Sequence, residues 1–358
     1  MAWPWRERPR RKHVAVVFEA TTRCNHDCPH CYNAWKNPVG YPEGELETGA
    51  TLAMLGKLLD ESGASLVTVS GGEPLLRADI FEIVAYIAER GKAVNFLTNG
   101  TLLDERAIAR LSPGKVSVFE VPLLSSDRAI HDAMSAAPGA FEKVTLAVAN
   151  LKAAGQRVVC VFVATRVNLP TWRQTAEVAV ALGADGIMFN RFNPGGRGRE
   201  NIARLQAAPG DLAAAMEIAE QLTREYGIGI SCSIPMPPCL FDHSKYPHLG
   251  FGFCAAGTER AYYTVDPLGN VRPCNHSALI LGNIRATPFW EMVDSSALAE
   301  FVAARPAFCE GCKRERTCLG GCKASAEVCG GSAWFRDPLL EAFSGQARKL
   351  TAENAVLN

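Results

Sequence analysis

Cysteine spacing limits what this chain can fold into more than any other feature of its sequence. Ten of the thirteen cysteines stand in three stretches: Cys24, Cys28 and Cys31; Cys254 and Cys274; and Cys309, Cys312, Cys318, Cys322 and Cys329. An odd total argues against a pure disulfide framework, and in a reducing compartment such spacing favours metal ligation. We therefore expect metal centres in this chain, and we interpret the isolated, mid-strand Cys160 as a core residue.

The charge and hydropathy of the chain exclude several kinds of partner. Lysine plus arginine equals aspartate plus glutamate, at 37 each, so no overall field favours nucleic acid or an acidic membrane surface. No apolar run reaches the roughly 18 residues that a membrane helix needs. The apolar stretch after the basic N-terminal residues is too short for a signal peptide and ends at Glu19. We expect a cytoplasmic protein that binds neither nucleic acid nor membrane.

From residue 14 to about 230, short apolar runs alternate with helical patterns. Strands are predicted at 14–18, 66–70, 93–98, 116–121, 157–164 and 186–190, and a seventh at 229–231. Helices are predicted at 52–61, 80–89, 105–111, 141–153, 172–182 and 211–226. Six βα units imply parallel strands with right-handed crossovers, hence an α/β fold: a TIM-like barrel, full or partial with six units, or a doubly wound sheet. Such folds place their chemistry in loops at the carboxyl ends of the strands.

The composition changes near residue 232, where regular periodicity gives way to glycine and cysteine. We divide the chain into a basic N-terminal segment (1–13), a core (14–232), a cysteine-rich domain (233–335) and a helical tail (336–358). The cysteine-rich domain is expected to bury little apolar area, so that metal clusters would order it.

The first cysteine stretch has the spacing C-x3-C-x2-C directly after the first predicted strand. Three thiolates can hold three irons of a cubane and leave the fourth iron open to an external ligand. A zinc site that uses His26 or His30 as its fourth ligand is the alternative. After the second strand comes a Gly-Gly-Glu-Pro turn, in which paired glycines permit close backbone approach and the carboxylate can accept an ammonium group.

Taken together, these two motifs make residues 14–230 resemble the radical S-adenosylmethionine (SAM) superfamily. The resemblance implies that SAM chelates the open iron and that its cleavage yields a 5′-deoxyadenosyl radical, which abstracts a substrate hydrogen. It assigns the cluster to Cys24, Cys28 and Cys31. It assigns SAM contacts to Gly71, Gly72, Glu73, Pro74 and, unless Asn99-Gly100 is a simple turn, Asn99.

One stretch departs from the pattern of that superfamily. Many relatives carry Ser-Leu-Asp-Gly at the end of strand four, where this chain has Pro122, Leu123, Leu124 and Ser125. Proline and leucine side chains donate no hydrogen bond, so the SAM carboxylate must find other partners. Ser125 and Lys143 are the candidates, each with an alternative interpretation as a turn or surface residue.

The C-terminal cysteines resemble the SPASM extension of peptide-modifying maturases. That resemblance implies two auxiliary [4Fe-4S] clusters, hence three in all. The first would be held by Cys254, Cys274 and Cys322, and the second by Cys309, Cys312, Cys318 and Cys329. The first then lacks a fourth thiolate: either Cys239 or Cys232 supplies it, or an iron stays open and could bind a substrate thiolate.

Two further features are candidates for substrate chemistry. His276 lies near the position where anaerobic sulfatase maturases carry a catalytic aspartate, so it is either a base or a structural histidine. The loop 193–199 contains Arg197 and Arg199, which either contact the substrate or belong to a solvated turn.

The resemblance implies oxidative modification of a peptide or protein side chain, by cross-linking or dehydrogenation, as in the maturation of ribosomally made peptides. Flavodoxin or ferredoxin would donate electrons. Only about 13 residues precede the first strand, so a separate protein would bind any leader peptide. The alternative within the family is a small-molecule or cofactor-precursor substrate. The alternatives outside it are a non-catalytic iron–sulfur electron carrier and a zinc scaffold.

Overall fold

The computed structural model describes residues 15–36, 41–112 and 114–341, and these residues build one eleven-stranded sheet. The strands are β1 (Ala15–Glu19), β2 (Leu66–Ser70), β3 (Ala93–Leu97), β4 (Val118–Pro122), β5 (Val158–Ala164), β6 (Gly186–Arg191), β7 (Gly229–Cys232), β8 (Leu249–Phe251), β9 (Tyr262–Val265), β10 (Asn270–Arg272) and β11 (Gly282–Asn283). The α-helices are α1 (Thr48–Ser62), α2 (Ile80–Glu89), α3 (Glu105–Leu111), α4 (Arg128–Ser135), α5 (Ala140–Ala153), α6 (Trp172–Ala181), α7 (Ile202–Leu205), α8 (Pro209–Tyr226), α9 (Phe289–Val293), α10 (Ser296–Ala303), α11 (Glu315–Cys318), α12 (Lys323–Gly330) and α13 (Pro338–Glu341).

The sheet is open and mostly parallel. Its strand order is β11-β10-β9-β1-β2-β3-β4-β5-β6-β7-β8, and β1 to β8 follow the chain order with parallel pairing throughout. The two ends of the sheet do not pair with each other, so the barrel is partial. The predicted α/β fold with a partial barrel is confirmed, and the seventh predicted strand is present as β7.

Alternation along the strands separates a helix-packed face from an interior face. On β5, every second residue from Val158 to Ala164 is buried. Aromatic side chains fill the helix-packed layer: the Phe96 and Phe119 rings lie 6.0 Å apart, and the Phe162 and Phe189 rings 5.7 Å apart. The interior face of the strands remains for polar side chains and ligands.

The helices pack on this layer through apolar stripes. In α2, Ile80, Ile83, Val84 and Ile87 recur at the spacing of one helical face and are all buried. The sequence interpretation missed α4, a helix of eight residues that begins at an Asp127 cap. Its capping carboxylate accepts a hydrogen bond from Ile130 N at 3.0 Å.

The expectation that residues 233–335 bury little apolar area is wrong. This segment supplies β8 to β11, and β9 pairs with β1 in parallel, with Val265 opposite Phe18. Val265, Val271 and Ile284 have no exposed surface and belong to the main core. Pairing with the edge strand β1 orders these short strands, which local periodicity could not reveal.

The two ends of the chain lie largely outside the described residues. The basic segment 1–13 is one such region, and of the predicted tail 336–358 only the part up to residue 341 is described, with a short helix at Pro338–Glu341. Asp337, just before that helix, forms a fully buried ion pair with Arg191 at the end of β6. In the described part of the chain, no helix is both long enough and apolar enough to cross a membrane.

Candidate active site

Three thiols converge in the loop that follows β1. Burial, followed by the neighbouring thiols of Cys31 and Cys24, raises the pKa of Cys28. Burial also raises the pKa of Cys31 to about 11, with Cys24 among the neighbouring groups. Thiols packed together in this way ionise readily only when a bound metal compensates their charge. This N-terminal thiol set (Cys24, Cys28 and Cys31) therefore has the donor chemistry that an iron–sulfur cluster requires.

The Gly-Gly-Glu-Pro turn packs directly against the backbone of the cysteine loop. Gly72 N donates to Thr21 O at 2.8 Å, and Glu73 N donates to Arg23 O at 2.8 Å. A Cβ atom on Gly72 would lie 2.1 Å from Arg23 O, and Gly71 adopts a positive φ of 136°. Only glycine fits this approach. The turn and the cysteine loop therefore form one unit.

The Glu73 carboxylate stabilises this unit through hydrogen bonds inside the protein. It is fully buried. Its Oε1 accepts hydrogen bonds from Thr98 Oγ1 at 2.8 Å and Leu75 N at 3.1 Å, and its Oε2 accepts one from Asn99 N at 2.7 Å. Burial raises the pKa of Glu73 to about 7. A carboxylate offers about four acceptor sites, so one on Oε2 remains for a ligand, and the predicted contact with the SAM ammonium stays a prediction.

Asn99 is more than a turn residue, because its side chain reaches the cysteine loop. Its Nδ2 donates to Asn25 Oδ1 at 2.7 Å, and its Oδ1 accepts from Thr101 Oγ1 at 2.7 Å. Thr101 Oγ1 is also 3.2 Å from His26 Nε2. The loop after β3 thus joins the loop after β1, as expected for loops at the carboxyl ends of strands that flank β2 in a parallel sheet.

Ser125 lies elsewhere. Its hydroxyl is fully buried, lies 2.8 Å from Thr171 Oγ1 and accepts a hydrogen bond from Asp127 N at 3.0 Å. These contacts favour its interpretation as a turn residue that stabilises the chain after β4. Lys143 is exposed on α5. Burial of the His26 ring lowers its pKa, and the positive charge of Lys143 lowers it further. Lys143 therefore lies at the rim of the cysteine loop.

Two further thiol sets lie in the C-terminal segment. In the inner thiol set (Cys254, Cys274 and Cys322), burial and then the thiols of Cys322 and Cys254 raise the pKa of Cys274. In the outer thiol set (Cys309, Cys312 and Cys318), burial and then the thiols of Cys318 and Cys312 raise the pKa of Cys309 to about 11. The structure brings the members of each of these two sets together. Cys329, the other predicted ligand of the second auxiliary cluster, lies near the end of α12.

The two candidates for a fourth thiol of the inner set lie elsewhere. Cys239 was expected there as one alternative, but its neighbouring thiols are those of the outer set. Cys232 is buried in the core, where its Sγ contacts Met216 Sδ at 3.9 Å. Cys160 is also a core residue, as predicted.

A single metal ion has no ready-made site in the part of the chain that is described. There, no three His, Cys, Asp or Glu side chains lie close enough to hold one ion. Zinc needs its four ligands close together around one centre, whereas a cubane gives each thiolate its own iron.

His276 is neutral and fixed in place. Its ring lies 4.0 Å from the Tyr32 ring, and its Nδ1 accepts a hydrogen bond from Asn193 Nδ2 at 3.0 Å. Burial, with the charges of Arg191 and Arg272 nearby, lowers the pKa of His276 to about 3. Because Nδ1 already accepts a hydrogen bond, these contacts favour the structural interpretation over that of a base.

The loop with Arg197 and Arg199 also packs on the cysteine loop. Gly198 N donates to Cys31 O at 2.9 Å, and a Cβ on Gly196 would lie 2.3 Å from Asn33 O. Arg197 forms an ion pair with Asp27 at the surface of that loop, whereas Arg199 is exposed. Arg197 is thus paired within the protein itself, and the substrate role of Arg199 stays a prediction.

Sequence reasoning missed several residues that face the interior. Glu120, on the interior face of β4, accepts a 3.5 Å hydrogen bond from Asn95 Nδ2. Burial raises the pKa of Glu120 to about 7. Glu19, at the end of β1, forms a buried ion pair with Arg272 of β10. The available signal was an acidic residue inside a predicted strand, for Glu120, or directly after one, for Glu19, since a carboxylate placed there must face a partner or a cavity.

Comparison with known proteins agrees with this arrangement. Residues 18–178 match the model of the Radical SAM superfamily, and residues 254–318 match the SPASM model, an iron-sulfur cluster-binding domain. The chain is 27% identical to AdoMet-dependent heme synthase of Methanosarcina barkeri, over 90% of this chain and 95% of that protein. It is 28% identical to PqqA peptide cyclase of Methylocella silvestris, over 91% of this chain and 87% of that protein.

Solved structures share the fold. Streptococcus suis SuiB bound to its precursor peptide SuiA superposes with a TM-score of 0.73 at 14% identity, covering 91% of this chain and 75% of that one. Native anSMEcpe with bound AdoMet and the Cp18Cys peptide superposes with a TM-score of 0.71 at 19% identity, covering 96% of this chain and 99% of that one. At these identities the likeness concerns the fold.

Proposed function

The chain is an enzyme that combines a radical SAM domain with an iron–sulfur-binding SPASM domain, and we propose that it oxidatively modifies a peptide side chain. The product would be a cross-linked or dehydrogenated residue. We assign SAM and three [4Fe-4S] clusters as cofactors, one at each of the three thiol sets. A flavodoxin or ferredoxin would supply electrons, and a separate protein would bind any leader peptide.

One contact carries the oxidative part of this proposal. Tyr32, the residue after Cys31, accepts a 3.0 Å hydrogen bond from Asn275 Nδ2, and Asn275 is the residue after Cys274. Tyr32 and Asn275 therefore form a wall that the N-terminal and inner thiol sets share. Net two-electron oxidation needs hydrogen abstraction and electron removal at neighbouring places, and the contact between Tyr32 and Asn275 supports this proposal.

The protein residues supply binding and orientation. A [4Fe-4S] cluster held by the N-terminal thiol set would supply the electron that cleaves SAM, and SAM would supply the radical that abstracts hydrogen. Glu73 and Asn99 hold the turn that would carry the methionine part of SAM against the cysteine loop. The thiols of this set, whose pKa values are raised by burial, release protons when iron binds.

The relatives support a peptide as substrate. PqqA peptide cyclase is similar over nearly its whole length, and SuiB, with the same fold, holds a precursor peptide. AdoMet-dependent heme synthase is equally similar, so a small molecule is the second candidate. We favour the peptide because two fold neighbours hold peptides in their structures.

Anaerobic reconstitution with iron, sulfide, dithionite and SAM tests the proposal. We expect 5′-deoxyadenosine to form, and we expect a peptide encoded beside this gene to lose the mass of two hydrogen atoms or a multiple of it. A porphyrin precursor is assayed in parallel as the candidate small-molecule substrate. Consumption of that precursor, with every peptide unchanged, would reject the peptide in favour of a small molecule. If no 5′-deoxyadenosine forms although iron is bound, the protein is an electron carrier.

A further inference from the structure

Asn193, two residues after the end of β6, is 5% exposed and contacts the inner thiol set. Its Nδ2 lies 3.5 Å from Cys322 Sγ and 3.0 Å from His276 Nδ1. An amide nitrogen carries two hydrogen atoms and accepts no hydrogen bond, so one N–H donates to the sulfur and the other to the histidine ring. Because sulfur is larger than oxygen, the longer separation is still that of a hydrogen bond. Asn193 therefore donates a hydrogen bond directly to a predicted cluster ligand.

The oxygen of the same amide has no partner. Asn193 Oδ1 is buried and accepts no hydrogen bond from the described residues. A buried carbonyl without a partner costs free energy, which an apolar side chain of the same shape would avoid. Once Cys322 is a thiolate, only the nitrogen of the amide can face it favourably. The buried amide therefore points to a task that its two donors perform.

The backbone that carries the Cys322 thiol is also tied to the end of β6. Cys322 N donates to Asp337 Oδ2 at 2.9 Å, and Asp337 forms its buried ion pair with Arg191, the last residue of β6. Ser325 Oγ, in the first turn of α12, donates to Pro194 O at 3.5 Å. The geometry of the N–H···S bond is therefore set by several contacts of the fold.

The loop that begins at Asn193 continues to the N-terminal thiol set. Gly198 N donates to Cys31 O at 2.9 Å. A Cβ atom on Gly195 would lie 2.8 Å from Tyr32 O, so the two backbones are in direct contact there. One loop thus contacts both sets, with its first residue at a thiol of the inner set and its later residues at the backbone of the cysteine loop.

We propose that Asn193 is a positioning residue that raises the reduction potential of the iron–sulfur cluster at the inner thiol set. This inference rests on the proposed function, which puts a [4Fe-4S] cluster there. An added electron makes the cluster sulfurs more negative, so the N–H donated to Cys322 Sγ stabilises the reduced state more than the oxidised state. Neighbours that donate hydrogen bonds to metal ligands tune the metal in this way.

A higher potential makes the inner cluster a better electron acceptor. In the proposed oxidation, hydrogen abstraction leaves a substrate radical. That radical would pass one electron to the inner cluster and release one proton to solvent, which completes the loss of two electrons and two protons. Asn193 would thus favour the second half of the oxidation without contacting the substrate.

Redox titration in a simplified background tests the proposal. The background variant has the three cysteines of the N-terminal thiol set changed to Ala, so only auxiliary clusters contribute to the electron paramagnetic resonance spectrum of the reduced protein. Into it we would introduce Asn193→Leu, which removes both donors, and Asn193→Asp, which replaces the donor nitrogen by oxygen. Asn201→Leu is the matched control, since the Asn201 amide lies in the same segment but donates to Arg197 O, at 3.1 Å.

A second control separates the bond to sulfur from the bond to the histidine ring. His276→Phe removes the other acceptor of the Asn193 amide and retains a ring next to Tyr32, which the His276 ring contacts at 4.0 Å. The N–H donated to Cys322 Sγ remains in this variant.

We expect both Asn193 variants to lower the midpoint potential of one auxiliary cluster and to leave that of the other unchanged. At a given potential, the ratio of reduced to oxidised inner cluster should fall about tenfold, the factor of one net hydrogen bond, which is about 59 mV for a one-electron couple. Asn201→Leu and His276→Phe should match the background.

Unchanged potentials in both Asn193 variants would overturn the inference and leave the proposed function standing. An equal shift in His276→Phe would also overturn it, because packing around the histidine would then explain the effect. Loss of about four irons per chain from both Asn193 variants would make Asn193 an assembly residue and overturn the tuning role. A background variant that binds no iron at all would reject the proposed function itself.

Discussion

Tyr32 and Asn275, which are 243 residues apart in sequence, join two thiol sets through a hydrogen bond of 3.0 Å. Asn275 also accepts a weaker bond from Tyr262, at 3.5 Å. Burial raises the pKa of Tyr262, and the thiols of the inner set add to the effect. The chain from Tyr262 to Tyr32 thus connects the surroundings of both sets.

The variant Tyr32→Phe should weaken this wall while retaining the ring contact with His276. Loss of one hydrogen bond costs about 1 kcal/mol, so Tm should fall by about 2–4 °C. The ratio of product to 5′-deoxyadenosine should also fall, because hydrogen abstraction and electron removal become less well aligned. Tyr226→Phe, on the exposed surface of α8, is the matched control. An unchanged ratio in Tyr32→Phe would contradict the role of this wall.

Gly72→Ala should prevent assembly of the N-terminal cluster. The added methyl group would lie 2.1 Å from Arg23 O, a backbone atom, so the cysteine loop must move away. We expect about four fewer irons per chain and no SAM cleavage, measured by iron assay and by chromatography of 5′-deoxyadenosine. Gly49→Ala, at the start of α1 with nothing within 4 Å of the new atom, should behave as wild type. Full iron content in Gly72→Ala would show that the loop tolerates the shift.

Strong local signals explain what could be predicted from the sequence. The helices at 80–89 and 105–111 and the strand at 66–70 have the predicted bounds, because apolar periodicity and flanking turns agree there. The cysteine loop and the glycine turn each follow a predicted parallel strand, and loops at the carboxyl ends of such strands lie at the same side of the sheet. Their meeting is visible in the bond from Glu73 N to Arg23 O.

Long-range pairing explains what the sequence could not reveal. The short strand β9 depends on β1, which lies some 245 residues earlier, and its own periodicity is weak. The position of Cys239 likewise depends on how the loop after β7 lies against residues 309–318, which no local pattern encodes. Ser125 was a candidate for the SAM carboxylate with a turn residue as the alternative, and the contacts of its hydroxyl with Thr171 and Asp127 favour the turn residue.

Glu120→Gln should stabilise the protein above pH 7. The pKa of Glu120 is raised by burial from 4.5 to about 7 in the folded chain. A raised pKa means that this group favours folding most below pH 4.5 and loses that contribution as the pH rises to about 7. Glutamine stays neutral, so the Tm difference between variant and wild type should grow from pH 4.5 to 7 and then level off.

Thermal unfolding between pH 4.5 and 8.5 measures this difference. Glu259→Gln, at an exposed position, is the control and should show a small difference that does not follow this window. A difference for Glu120→Gln that stays constant across the window would mean that the carboxyl group titrates normally.

Lys323→Met should lower the reduction potentials of the auxiliary clusters. The Lys323 side chain is buried between the inner and outer thiol sets, near Cys254, Cys309 and Cys318, and donates to Ala304 O and Leu319 O. Removing a positive charge makes each cluster harder to reduce, by roughly tens of millivolts for one charge in a partly polar interior. Lys313, next to Cys312, is exposed. Because solvent and salt screen its charge, Lys313→Met should shift the reduction potentials less. Redox titration followed by electron paramagnetic resonance measures both variants. Equal shifts in the two would show that the buried position of Lys323 has no special effect on the clusters.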